Sequence, residues 1–122
     1  MTRETTDDAV LGGRLKLLQP AKGHRAGHDA ILLAAGAPAS THAIDLGAGV
    51  GTAGLALLAR KAASRVTLVE IDAELAALAG ESASRNGFQG QTEIAVADAL
   101  KLGRKGGAAI PAPASADLVL MN

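Results

Sequence analysis

An α/β fold with a parallel sheet is predicted by three features of the chain. Short β-rich runs at 42–46, 66–70 and 93–97 are separated by helical stretches at 52–63 and 73–85, and a further run follows at 117–121. The first run ends in Asp45 and breaks into the alternating glycines Gly47, Gly49 and Gly51, and the second closes on another acid, Glu70. Strands joined through helices of ten or more residues imply right-handed crossovers, and these produce parallel pairing.

The elements can be justified in order. Residues 1–10 lack apolar periodicity and read as a flexible tail. From Arg14 to Gln19 polar and apolar residues alternate as in a half-exposed strand, stopped by Pro20. A polar loop with Gly23 and Gly27 follows, then an apolar helix over Ala30–Ala35, opened by His28 or Asp29 and closed by Gly36 and Pro38. Residues 11–41 therefore form an N-terminal strand, loop and helix, and 42–122 the sheet domain. Asn86-Gly87 ends the second long helix as a left-handed cap. Leu102–Ala116, rich in Gly, Ala and Pro, reads as a connector replacing or shortening the crossover helix before the last strand. In a 3-2-1-4 strand order that last strand is an open apolar edge, so the expectation is a sheet truncated after its fourth strand and able to self-associate through the uncovered edge.

Composition narrows the function classes. The 122 residues suit one domain, and although 48% are apolar, many are alanine and Phe88 is the one aromatic, so the core is expected to be thin. Twelve basic and twelve acidic residues balance, which argues against a protein that coats nucleic acid or membranes generally. The charge is uneven, with Arg14, Lys16, Lys22 and Arg25 against Asp29 in the N-terminal segment, and Glu70, Asp72, Glu74 and Glu81 clustered later. There is no cysteine, hence no disulfide, thiolate site or thiol nucleophile. Three histidines with no acid at ligand spacing do not suggest a metal. The N-terminus is polar and no apolar run approaches the roughly 20 residues of a membrane span, so a cytoplasmic address is expected.

The chemistry concentrates at the glycine turn. Alternating glycines let backbone approach a ligand closely, and a helix beginning near Thr52 aims free N–H groups at it. Glu70, at the end of the next strand, stands where ribose hydroxyls lie in a βαβ unit. Gly49-Val50-Gly51-Thr52-Ala53-Gly54 also satisfies G-x-G-x-x-G, a weak dinucleotide signal. Asp45 decides between these, because a carboxylate there repels a diphosphate and pairs with an ammonium group. A ligand with a cationic head and an adenosine-like tail is implied; S-adenosylmethionine has both, a nicotinamide dinucleotide only the second.

Asp45-Leu46-Gly47-Ala48-Gly49-Val50-Gly51 resembles the first motif of the class I S-adenosylmethionine-dependent methyltransferases, a resemblance that runs over nearly the whole chain. It implies a partial Rossmann-like class I methyltransferase fold. It also implies that Asp45, Gly47, Gly49 and Gly51 bind the cofactor, that Glu70 holds both ribose hydroxyls, that Ile71 lies against the adenine, and that Asp98, with Ala99 beside it, meets the adenine amino group. Taken alone, Asp98 is an ordinary helix N-cap and Glu70 a solvated strand end. Leu118-Val119-Leu120-Met121-Asn122 resembles the strand entering the Asn-Pro-Pro-aromatic motif of amino-group methyltransferases, without the prolines and aromatic. There Asn122 would accept a hydrogen bond from a ring-conjugated amine and orient it for methylation, making it the catalytic candidate.

The upstream segment, Leu11-Gly12-Gly13-Arg14-Leu15 with Gln19-Pro20 and Gly23 to Ala35, resembles the N-terminal signature of the bacterial tRNA(Val) adenine-N6 methyltransferases. The resemblance implies a tRNA substrate and makes Gln19, Gly23, Arg25, Gly27 and Asp29 candidates for lining the methionine end of the cofactor; His24 and His28 inherit no role. Arg14, Lys16, Lys22 and Arg25 suit RNA phosphates, though such charges also form ordinary solvated faces. The chain given is expected to bind cofactor weakly and not to methylate alone. Three alternatives stay open: another amine or amide acceptor, such as an rRNA guanine or a release-factor glutamine; an NAD-dependent oxidoreductase; and a non-catalytic binding module.

Overall fold

The computed structural model of the chain describes residues 4–22, 28–101 and 116–121. In chain order its elements are β1 (Thr5–Val10), β2 (Leu15–Pro20), α1 (His28–Gly36), β3 (Ser40–Leu46), α2 (Thr52–Ala59), β4 (Ala63–Glu70), α3 (Ala73–Arg85), β5 (Thr92–Val96) and β6 (Leu118–Met121), with short 3₁₀ turns at Gln89–Gln91 and Ala99–Lys101. Four strands form a parallel sheet in the order β5-β4-β3-β6, the 3-2-1-4 arrangement expected, with Ile44 opposite Thr67 and Val119, and Leu68 opposite Ile94. β4 sits inside the sheet and Val66–Glu70 is buried throughout, as a central parallel strand covered on both faces requires.

The period of two along each strand assigns the faces. Ala43, Val66 and Leu68 join the main core with Leu15, Leu17, Leu55, Leu57 and a set of alanines from all three α-helices, while Ile44, Val69 and Ala95 form a smaller cluster of their own. Alanine at these positions removes little area from water per residue, which is why the core is thin for the chain's length. β6 ends the sheet order with Val119 and Met121 exposed.

Residues 1–10 are not a mobile tail over their described length. Thr5–Val10 pairs antiparallel with Leu15–Pro20 in a hairpin closed at Leu11–Gly13, so the boundary expected after residue 10 falls at a turn between two paired strands. The sequence hid this strand because two of its three half-buried positions, Thr6 and Asp8, are as polar as the exposed Thr5 and Asp7, so no apolar alternation marks it. β2 is also more buried than half-exposed, since every residue but Lys16 is covered. Side chains of α3 dock it: Ser82 Oγ accepts the Leu18 N–H at 2.9 Å, and the Asn86 amide both accepts from Lys16 N–H at 3.0 Å and donates to Lys16 O at 2.7 Å. Ser82 is fully buried. Ser82→Ala therefore leaves a buried N–H unpaired and is expected to destabilise by about 1–3 kcal/mol. Urea titration checks the magnitude, and loss of hydrogen-exchange protection at the Leu18 amide checks the cause; unchanged protection there would reject this docking role.

α3 occupies the predicted span and ends in the predicted cap. Gly87 takes φ 78°, Phe88 N–H donates to Ala83 O at 2.8 Å and Gly87 N–H to Ser84 O at 3.1 Å. α2 departs from expectation, stopping at Ala59 rather than at residue 63, because Lys61 takes the left-handed conformation (φ 59°) and closes the same pair of bonds, Ala62 N–H to Leu57 O and Lys61 N–H to Leu58 O. A lysine carries no sequence signal for that cap. β3 begins at Ser40, two residues early, and β6 one residue late, where the Asp117 carboxylate accepts the N–H groups of Thr41 (3.0 Å) and His42 (2.8 Å). Those two bonds hold its carboxyl below the usual range. The connector expected over 102–116 lies outside the described residues except for Ala116.

Candidate cofactor site

The site lies at the carboxyl ends of β3, β4 and β5. Gly47, Gly49 and Gly51 all take positive φ (67°, 57° and 90°), which residues with a Cβ adopt at a cost, so the chain reverses tightly from β3 into α2. Gly54 serves differently: a Cβ there would lie 2.4 Å from Leu68 Cδ2, so its absence lets α2 pack onto β4. Ala48 N–H donates to Val69 O at 2.9 Å and fastens the loop to β4.

Glu70 is held between two segments rather than solvated. It is 9% exposed; its Oε1 accepts Gly49 N–H and its Oε2 accepts Asp72 N–H, both at 2.8 Å. Each carboxylate oxygen keeps a second lone pair, so both can still accept from vicinal hydroxyls. Ile71, next in sequence, is 66% exposed at the same edge, an apolar side chain open to a flat ring. Asp72 caps α3, its Oδ1 accepting Glu74 N–H at 2.9 Å.

Asp45 lies behind the loop. It is 2% exposed and its Oδ2 accepts Gly54 N–H at 3.0 Å. Burial first of all pushes its pKa up to about 6, the Gly54 bond opposes this, and the charge of Glu70 adds to the rise. The carboxylate is thus ionised at neutral pH but under strain from desolvation and a like charge, and a nearby cation relieves both. It lies beneath the glycine turn rather than at its surface.

Asp98 follows β5, whose end is tied to β4 by Ala97 N–H donating to Glu70 O at 3.1 Å. Its Oδ1 accepts Leu100 N–H at 2.9 Å, capping the 3₁₀ turn that begins at Ala99. The ordinary N-cap role is therefore filled, on the same sheet edge as Glu70. Asp45, Gly47, Gly49, Gly51, Glu70, Ile71, Asp98 and Ala99 are brought together. Gln19 is not directed there by its bonding: it is buried and its Nε2 donates to Asp8 Oδ2 at 2.9 Å within the hairpin. Asp29 is exposed in the first turn of α1. Gly23, Arg25, Gly27 and Asn122 lie outside the described residues. The sequence reading missed the packing role of Gly54 and the buried hydroxyl of Thr52, neither of which has a signal beyond its position after the glycines.

Arg14 and Lys16 stand at the other end of the molecule. Lys16 is paired to Asn86 just past the C-terminus of α3, a 13-residue helix whose N-terminus follows Glu70, and such a helix is about 20 Å long. Among the described residues no cluster of three potential metal ligands occurs, and no helix is long and apolar enough to cross a membrane.

A glycine loop of this geometry, clamped to a strand-end acid and backed by a buried carboxylate, defines a nucleoside-binding α/β domain. The family model of the methyltransferase small domain matches residues 26–122, and the chain belongs to that family of S-adenosylmethionine-dependent enzymes. Similar solved structures include TYW2 of Pyrococcus horikoshii in complex with MeSAdo (17% identity, TM-score 0.65, 77% of this chain and 36% of that one). Others are TrmK of M. capricolum with S-adenosyl-homocysteine (17%, 0.58, 64% and 34%) and a tRNA m1G37 methyltransferase of M. jannaschii (20%, 0.57, 78% and 29%). At these identities the likeness is one of fold, and the chain spans well under half the length of each. No curated protein sequence matches the chain.

Proposed function

We propose that this chain is the cofactor-binding portion of an S-adenosylmethionine-dependent N-methyltransferase acting on the N6 amino group of an adenine in tRNA. The observation that carries the cofactor assignment is the pairing of two low-exposure carboxylates around one glycine loop, Glu70 bonded to Gly49 N–H and Asp45 beneath it. That arrangement disfavours a diphosphate and favours a ligand bearing positive charge. The residues present fit the group: Glu70 would hold the ribose hydroxyls, Ile71 would lie on the adenine, and Asp98 with Ala99 would meet its edge. Arg25 and Asp29 would line the methionine end, without Gln19, which is bonded to Asp8 inside the hairpin. S-adenosylmethionine, when bound, supplies an electrophilic methyl group. Asn122 would accept a hydrogen bond from the amine and orient it, and the target base must leave its stack to reach the site.

The amine acceptor and the tRNA rest on the resemblances of the N- and C-terminal segments, and with them a cytoplasmic address. RNA phosphates held by Arg14 and Lys16 would sit about a helix length from the glycine loop. Calorimetric titration with S-adenosylhomocysteine and with NADH tests the cofactor: binding of the first and not the second is expected, and the reverse rejects the proposal. Methyl-tritium transfer from S-adenosylmethionine, by a protein carrying this chain, to unmodified tRNA is expected with label in N6-methyladenine; label in a release factor or in guanine moves the acceptor.

A further inference from the structure

Asn86 does more than end α3. Its side-chain amide ties the hairpin to the helix: Oδ1 accepts Lys16 N–H at 3.0 Å, and the two Nδ2 protons go to Lys16 O and Ser82 O, both at 2.7 Å. The next residue is Gly87, exposed and without a Cβ. In an Asn-Gly pair the main-chain nitrogen of the glycine reaches the asparagine side-chain carbon with little steric hindrance, because no side chain shields it. In the folded chain that attack is blocked twice. Asn86 has ψ 4°, which turns Gly87 N toward Asn86 N and away from Cβ, and Gly87 N–H is already donated to Ser84 O at 3.1 Å. Ring closure therefore requires the cap to rotate and the amide to leave Lys16, and that departure undocks the β1–β2 hairpin from α3 at this point.

We infer that Asn86 is a self-modification site, deamidated when the hairpin undocks, and that the product keeps the hairpin from docking again. Gly87 N gives its proton to solvent and attacks Asn86 Cγ; the N–Cγ bond forms, the Cγ–Nδ2 bond breaks and Nδ2 leaves as ammonia. Water then opens the cyclic imide to aspartate or isoaspartate at position 86, so one water is consumed for each ammonia released. Either product puts a carboxylate in place of the donating amide, so Lys16 O and Ser82 O lose their donor and a negative charge stands at the negative end of the α3 dipole.

Peptide mapping that resolves asparagine, aspartate and isoaspartate at position 86 follows the reaction in the full chain at mildly alkaline pH. The native chain is expected to react at least about tenfold more slowly than the same chain unfolded in urea, and equal rates overturn the protection. Ser82→Ala removes the Leu18 bond and leaves Asn86-Gly87 intact. It is expected to accelerate the native reaction about fivefold or more, and no acceleration overturns the gate. If that variant does not fold, Lys16→Pro removes the N–H that Asn86 accepts and carries the same expectation. Ile44→Val, which weakens the second apolar cluster instead, is expected to leave the rate unchanged; acceleration equal to that of Ser82→Ala would make global unfolding the route and overturn the gate. Asn86→Asp stands for the product and is expected to lose hydrogen-exchange protection at the Leu18 amide, whereas retained protection there overturns the block on redocking.

Discussion

Asp45→Asn makes the ligand-free protein more stable at pH 7.5 and weakens its hold on S-adenosylhomocysteine. The first effect follows from proton linkage. Burial raises the folded-state pKa to about 6 from 3.8, so between those values the folded protein keeps a proton that the unfolded chain has released. Stability therefore falls as pH rises from about 4 to about 6, by roughly 3 kcal/mol in total. Asparagine has no charge to desolvate and none to repel Glu70, while its side-chain oxygen can still accept Gly54 N–H. Part of the gain is offset by one amide N–H₂ that needs acceptors, leaving a net stabilisation of about 1–2 kcal/mol at pH 7.5 and almost none at pH 4. Urea unfolding at the two pH values measures this difference. Affinity for S-adenosylhomocysteine is expected to fall about tenfold or more, because the ligand's ammonium loses the charge that compensated it. A variant less stable than wild type at pH 7.5 would mean that the carboxylate contributes to the fold rather than costing it.

How much of this was legible in the sequence depended on whether the physical cause was local. The β3 turn into α2, the acid ending β4 and the Asn86-Gly87 cap depend on residues close in the chain, and each was read from its own segment. β1 was missed because its ladder partners lie across a turn and its side chains carry no apolar alternation, so nothing local announces it. The docking of β2 by Ser82 and Asn86 joins residues more than sixty positions apart; a serine in a helix reads merely as polar, and Asn86 announces only the cap it forms. Lys61 ends α2 in a conformation usually marked by glycine, so the helix seemed longer than it is. At the site the residue types were legible but their solvation was not: Asp45 was read as the partner of an ammonium group, and its burial, with Gly54 N–H of α2 bonded to it, depends on packing that no local pattern announces.

The last glycine of Gly49-Val50-Gly51-Thr52-Ala53-Gly54 offers a direct contest between ligand approach and packing. Alanine at position 54 should gain about 1 kcal/mol from helix propensity, since the site is inside α2. Its Cβ, however, would meet Leu68 Cδ2 at 2.4 Å and Asp45 Oδ2 at 3.3 Å. Leu68 is 1% exposed, so its side chain is enclosed by the core and is not free to swing clear. Overpacking of this kind costs about 1–3 kcal/mol and outweighs the propensity gain, so Gly54→Ala is expected to destabilise by about 1–2 kcal/mol. It should also lower cofactor affinity, because lifting α2 from β4 displaces the Gly54 N–H that fixes Asp45. Leu68→Ala by itself costs about 2–5 kcal/mol, but in that background the obstruction is gone. There Gly54→Ala should change sign and stabilise by about 0.5–1 kcal/mol, a coupling that a double-mutant cycle in urea isolates. An equal penalty in both backgrounds would show that Leu68 is not what excludes a side chain at position 54, and the glycine would then have to be explained by what approaches the loop from outside.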